Sequence, residues 1–321
     1  EMELALVKLY KVTGKKLYLE MAEKFLEIRG KTYVPDGEGV MSPTYAQQHA
    51  PVEDQSEAVG HAVRATYLYS AMADLAHLKN KNSYTRALHR IWGNVTDTRM
   101  HITGGLGAVH GIEGFGPPYL LPNADAFNET CAAVGNVLFN FRMFLAHRDA
   151  KYLDVAEVSL LNNVLAAVNL EGNRFFYVNP LEADGKYPFN HGTAGRAPWF
   201  GTACCPSNMA RLLPQVQGMA YAHDEKNLYL AMYAETSTSL KIAGTKIAVT
   251  QKTGYPNEGR IEVSLNPEKP ASFSLRLRIP TWTGKQFVPG KLYRYLDSAT
   301  EKWEVSVNGK KVKPKIELGF A

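Results

Sequence analysis

The chain has 321 residues, 45% of them hydrophobic and 21% charged, with a formal net charge of +5. This is the composition of a globular protein long enough for two domains. The small, scattered positive excess argues against a nucleic-acid partner, and no apolar run approaches the roughly 20 residues of a membrane span.

In chain order, helical spacing predicts helices over Glu3–Tyr10 and Lys16–Ile28, joined at Thr13-Gly14. A Gly/Pro-rich connection over 30–43 leads through Gln47-Gln48-His49-Ala50-Pro51-Val52 into a long helix, about Asp54–Leu78, and then Ser83–Thr96. The glycine-rich loop Gly104-Gly105-Leu106-Gly107 to Gly111-Ile112-Glu113-Gly114-Phe115-Gly116 is not a dinucleotide fingerprint. His110 stands where the last glycine belongs, and no strand precedes it. Helices resume over Ala126–Ala146 and Lys151–Val168, followed by a short strand, Arg174–Val178. Pro206 suits the first turn of a further helix running to Tyr221. After Asp224 the texture changes to alternating segments such as 239–242, 246–249, 260–263 and 273–278, the pattern of a half-buried antiparallel sheet. The predicted architecture is mainly α: residues 1–222 form a helical domain of α/α toroid type and residues 223–321 a β-sandwich.

The chemistry gathers on the three cysteines. Their odd number argues against a disulfide framework, and the neighbours Cys204 and Cys205 could pair only through a strained ring. With Cys131 and Glu129 they make a tetrahedral donor set for zinc, and both cysteine stretches open helices, where the macrodipole favours thiolates. The alternative is three small buried hydrophobes. A closed four-ligand zinc site is usually structural, whereas Glu113, a carboxyl between glycines, either reaches a pocket or is a solvated loop residue. His49, His61, His110 and Tyr177 are either core residues or ligand contacts. His61 is expected on the long helix one turn after Glu57. Glu157 shares a helix face with Leu153, Leu161 and Val164, so it lines a pocket or anchors a buried polar network. Trp199, near the cysteine pair, could stack on a ligand or merely pack its loop.

The run G-G-L-G…H-G-I-E-G-F-G, then L-P-N…N-E-T-C, R-F-F-Y-V-N-P-L and C-C-P-S-N, resembles glycoside hydrolase family 127, the β-L-arabinofuranosidases. His49-Ala50-Pro51-Val52 and Glu57-Ala58-Val59-Gly60-His61-Ala62 are similar to that family as well. The resemblance implies an (α/α)6 barrel, here its C-terminal part, followed by an antiparallel β-sandwich. It implies a retaining exo-glycosidase that removes β-linked L-arabinofuranose from an oligosaccharide or a glycoprotein glycan. Carried over by motif, Glu129, Cys131, Cys204 and Cys205 would hold Zn2+, Cys204 would be the nucleophile and Glu113 the general acid/base. Glu113 must then begin protonated, which burial beside an anionic site favours. Two readings remain beside this one: a hydrolase of another sugar, and a non-catalytic carbohydrate-binding protein with structural zinc.

An (α/α)6 barrel has twelve helices, and the periodicity gives about seven. The chain is therefore expected to be a fragment, lacking helices before Glu1 and sandwich sequence after Ala321, with low activity on its own. A homodimer is compatible with the sequence, and the compartment is left open between bacterial cytoplasm and periplasm. A glycan on the sequon at Asn128 would obstruct Glu129, which disfavours a eukaryotic secreted origin.

Overall fold

The structure is a computed structural model that describes residues 1–284, 286–297 and 302–321. Among the described residues seven α-helices come first: α1 (Met2–Thr13), α2 (Lys16–Ile28), α3 (Ala62–Leu78), α4 (Asn82–Thr98), α5 (Thr130–His147), α6 (Ala150–Ser159) and α7 (Cys204–Val216). Helices α3 and α5 are apolar around most of their circumference, so both are central rather than amphipathic surface helices. They cross at close range because Gly135 lacks a side chain; a Cβ there would sit 2.0 Å from Oγ1 of Thr66. Helix α1 packs on α2 and α3, and α6 on α5. No helix among the described residues is long and apolar enough to cross a membrane.

Strands follow: β1 (Tyr221–His223), β2 (Asn227–Leu230), β3 (Thr236–Ile242), β4 (Thr245–Thr253), β5 (Ile261–Pro267), β6 (Ser274–Leu277), β7 (Val305–Val307) and β8 (Lys310–Val312). They form sheets in the orders β1-β2-β6, β3-β4-β5 and β7-β8. The first two share one apolar cluster, with Leu228 and Leu230 from one sheet against Ile242, Ile247 and Val249 from the other. The expectation of purely antiparallel pairing fails at β2 and β6, which are parallel. Strand β6 follows β5 of the other sheet, so the chain returns by crossing over and not by a hairpin.

Three predicted elements differ. Residues 54–61 are turns, and the long helix begins only at Ala62. Gly60 has φ 71°, and the side-chain amide of Gln47 donates to the carbonyls of Val59 and His61, contacts that compete with helical bonding. The helix expected from Ala126 begins at Thr130, after Asn128 takes φ 45°. Segment 174–178 is not a strand; Phe175 makes only isolated bridges to Val168 and Ala197. Helix α6 continues beyond Ser159 as a π turn over Leu160–Val164, within the span predicted as helix.

The strand-bearing part is tied to the helices through a buried arginine. Arg278, fully buried, places Nη1 2.7 Å from Oδ1 of Asp154 and pairs its other nitrogen with Glu157, both on α6. The hydroxyl of Tyr255 donates to Glu157 at 2.5 Å, and Phe320 packs on Phe144 of α5 and Tyr229 of β2.

Candidate active site and metal centre

Two helix starts converge. Cys204 and Cys205 are the first two residues of α7, Cys131 is the second of α5, and Glu129 is the N-cap of α5. An N-cap side chain normally accepts a hydrogen bond from its own helix; Glu129 does not, so its carboxylate is left for the thiols. The sulfur of Cys131 lies 3.3 Å from that of Cys205, and those of Cys204 and Cys205 are 3.8 Å apart. Oε1 of Glu129 is 3.4 Å from Cys204 and 3.6 Å from Cys205. A tetrahedron with zinc–sulfur bonds of about 2.3 Å has S···S edges of about 3.8 Å and S···O edges of about 3.5 Å.

The electrostatics support the same use. Hydrogen bonds from the Cys131 and Cys205 thiols hold Cys204 far below the ordinary thiol range, against its burial. Burial, and then the Cys204 charge, push Glu129 well above the carboxylate range, and burial pushes Cys205 up. Burial thus works against ionising all four acids together; a dication would favour the ionised forms, and Oε2 of Glu129, buried without a partner, is a donor atom ready for it. The donor set fits zinc: three sulfurs and one carboxylate, with ligand atoms all within 4.8 Å of one another.

Glu113 reaches this centre from the glycine-rich loop. Its backbone, at φ 50°, closes a turn whose N–H bonds back to the carbonyl of His110 at 3.1 Å. Gly114 makes the approach possible: a Cβ there would lie 2.2 Å from the carbonyl of Gly60. The Glu113 carbonyl accepts from Ala62 at the start of α3, which sets the loop against His61, the N-cap of that helix. Nε2 of His61 is 3.3 Å from Oε2 of Glu113, and ligand atoms of His61, Glu113 and Glu129 lie within 4.8 Å of one another. Glu129 thus belongs to both groups. Glu113 is 38% exposed, not buried as expected.

Tyr177 is brought in by α5, since Thr130 donates its N–H to the Tyr177 carbonyl at 3.0 Å and its hydroxyl to Phe176 at 2.9 Å. Burial, and then the charge of Glu129, raise the pKa of its phenol.

The predicted site residues have further partners, which define what each is doing. His110 turns its ring onto Phe127, with Nε2 3.4 Å from Asp125. His49 is half-buried; the charge acting on it is Glu57, which Arg99 holds at 2.7 Å. His61 is on a turn before α3, not on a helix shared with Glu57. Glu157 is spent on Arg278 and Tyr255, so its position on an apolar stripe reflects a buried network. Sequence spacing gave no sign of His191, whose ring packs 4.3 Å from Tyr177, because only the folded loop brings the two together.

The sequence profile of the β-L-arabinofuranosidase GH127 catalytic domain matches residues 1–218, and that of the GH127 middle domain matches residues 227–320. The chain belongs to glycoside hydrolase family 127. Within the family, it is 32% identical to a non-reducing end β-L-arabinofuranosidase of Bifidobacterium longum subsp. longum, covering 100% of this chain and 49% of that one. A solved GH127 β-arabinofuranosidase superposes with a TM-score of 0.92 at 45% identity, over 99% of this chain and 48% of the other. A GH127 β-L-arabinofuranosidase from Geobacillus stearothermophilus T6 gives 0.89 at 36% identity, over 100% and 51%. The chain therefore spans about half the length of these family members.

Proposed function

We propose that the protein is a retaining exo-glycosidase that releases β-linked L-arabinofuranose from the non-reducing end of a glycan. The observation that carries this reading is the convergence of Glu129, Cys131, Cys204 and Cys205 with Glu113 and His61 alongside. The relatives named above supply the sugar.

Glu129, Cys131, Cys204 and Cys205 would hold Zn2+, which would keep the sulfurs deprotonated at neutral pH. Cys131 and Cys205 are fully buried, whereas Cys204 is partly exposed, so Cys204 is the sulfur a sugar can meet. Its Sγ attacks the anomeric carbon while Glu113 gives a proton to the departing glycosidic oxygen. The C–O bond breaks, a C–S bond forms, and the leaving alcohol departs neutral. Glu113, now a carboxylate, takes a proton from water; the water oxygen attacks the same carbon from the vacated side and the thiolate is released. Two inversions give net retention. His61 orients the Glu113 carboxyl.

A closed set of four protein ligands also favours a second reading, in which the metal is structural and the protein binds carbohydrate without cleaving it. One experiment separates them. The protein is assayed on an aryl β-L-arabinofuranoside, then treated with an electrophilic arabinofuranosyl analogue, and the labelled residue is located by mass spectrometry. Turnover with the label on Cys204 supports the catalytic reading; binding without turnover supports the other. A label on a carboxylate would sink thiolate attack.

A further inference from the structure

His61 and Glu113 come from two separate segments, the turns before α3 and the glycine-rich loop, and helix α4 holds both. On the first segment, Arg90 donates to the carbonyls of Glu53 at 2.8 Å and Gln55 at 3.1 Å. Oδ1 of Asn94 accepts from the N–H of Ala58 at 3.0 Å. The second segment leaves α4 directly after Arg99, the C-cap residue of that helix. It is closed at its far end, where the N–H of Tyr119 reaches the carbonyl of Thr98 at 2.8 Å. The two segments also meet each other. Phe115 donates its N–H to the carbonyl of Gly60 at 2.9 Å, and Ala62 donates to that of Glu113 at 3.1 Å.

Arg90 and Asn94 fasten the first segment; Arg99 fastens the two together. Its side chain is buried, and its guanidinium is spent on three acceptors. Nε donates to Oδ1 of Asn94 at 2.8 Å, Nη2 to Oε2 of Glu57 at 2.7 Å, and Nη1 to the carbonyl of Gly116. Glu57 stands four residues before His61, and Gly116 three residues after Glu113. The Glu57 side chain is 54% exposed, so the ion pair by itself contributes little stability. What the guanidinium supplies is direction, because its N–H groups leave a rigid plane as a fixed fork. A lysine ammonium carries the same charge without that fork.

We propose that Arg99 is a positioning residue for the proton transfer: by joining Gly116 to Glu57 it fixes the Glu113 carboxyl against His61. It acts through the backbone of one segment and a carboxylate of the other. A misplacement of about 1 Å is enough to cost an enzyme much of its rate. The loss falls on the step that needs the proton. This inference rests on the reading of Glu113 as the acid.

The test compares methyl β-L-arabinofuranoside, whose leaving group needs a proton, with a nitrophenyl β-L-arabinofuranoside, whose leaving group does not. The quantity read is the ratio of their kcat/KM values, methyl over nitrophenyl. In R99K that ratio falls about tenfold, and in the E113Q background R99K lowers it no further. E57A, a change at an exposed side chain, removes one of the three contacts and lowers the ratio about threefold; should R99K not fold, E57A alone decides. Equal losses on both substrates, or an unchanged ratio, overturn the positioning role, as does a further fall in the E113Q background. An unchanged ratio in E113Q itself overturns the acid assignment, and the positioning role with it.

Discussion

Nε2 of His61 faces Oε2 of Glu113 at 3.3 Å, across a junction where the loop carbonyl of Glu113 also caps helix α3. Backbone and side chain of Glu113 are therefore positioned by the same turn. If Glu113 is the proton donor, E113Q lowers turnover of an alkyl arabinofuranoside by about 10²–10⁴-fold. A substrate with an activated aryl leaving group needs no proton for the first step, so its burst of released phenol survives. Loss of that burst to the same extent as the loss of turnover on the alkyl substrate would remove Glu113 from the acid's role.

If the cluster holds zinc and Cys204 is the nucleophile, Cys204 and Glu129 have different tasks there. C204S retains three of the four ligand residues and is expected to keep zinc with weakened affinity while turnover falls more than about a thousandfold. E129A removes the only oxygen donor, and zinc content drops from stoichiometric towards none. Atomic absorption on gel-filtered protein, beside turnover on one arabinofuranoside, reads both. A C204S protein with undiminished turnover contradicts the assignment of the nucleophile.

Chelation offers a separate check. With zinc held by Cys131, Cys204 and Cys205, a thiol reagent finds little to react with in the native protein, and after chelation Cys204 reacts first, being the least buried of the three. The same treatment lowers the unfolding temperature, because metal binding to the folded state is lost. Free reactivity of all three thiols before chelation would exclude the metal centre.

His101 gives stability a pH dependence of its own. It is buried with Nε2 unpartnered, and burial alone lowers its pKa to about 4 from the model-peptide value of about 6.5. Between those two values the unfolded chain binds a proton that the folded chain does not. Stability therefore rises with pH across this window and is lost as pH falls through it, by about 2 kcal/mol between pH 7 and pH 5. In H101Q the drop in unfolding free energy between pH 7 and pH 5 shrinks by about that amount; His49, His89 and His147, shifted in the same direction, supply a remainder. An unchanged drop in H101Q refutes the assignment.

The Arg278 pair predicts asymmetric costs. R278A leaves Asp154 and Glu157 buried without their partner and destabilises the fold by about 3–5 kcal/mol in chemical denaturation. Replacing the group together, as R278M/D154N/E157Q, removes the stranded charges and restores part of that loss. A single variant no worse than the triple one contradicts the argument.

The texture change after residue 223, the helices with strong apolar periodicity and the donor set of Cys131, Cys204, Cys205 and Glu129 were legible in the sequence, because each depends on local pattern or on scarce residue types. What escaped depends on distant partners. The turn at 54–61 is held by Gln47, the start of α5 by the left-handed Asn128, and the parallel pairing of β6 by a return from another sheet. Glu157 looked like a pocket residue because its neighbours on α6 are apolar, and its counterion lies in the strand-bearing part.

That counterion is separated from its two acids by 124 and 121 positions. During synthesis α6 therefore leaves the ribosome before the guanidinium that pairs with Asp154 and Glu157, and that ion pair can close only once residue 278 emerges. The buried junction between helices and strands is in this way closed only after the strands have been translated.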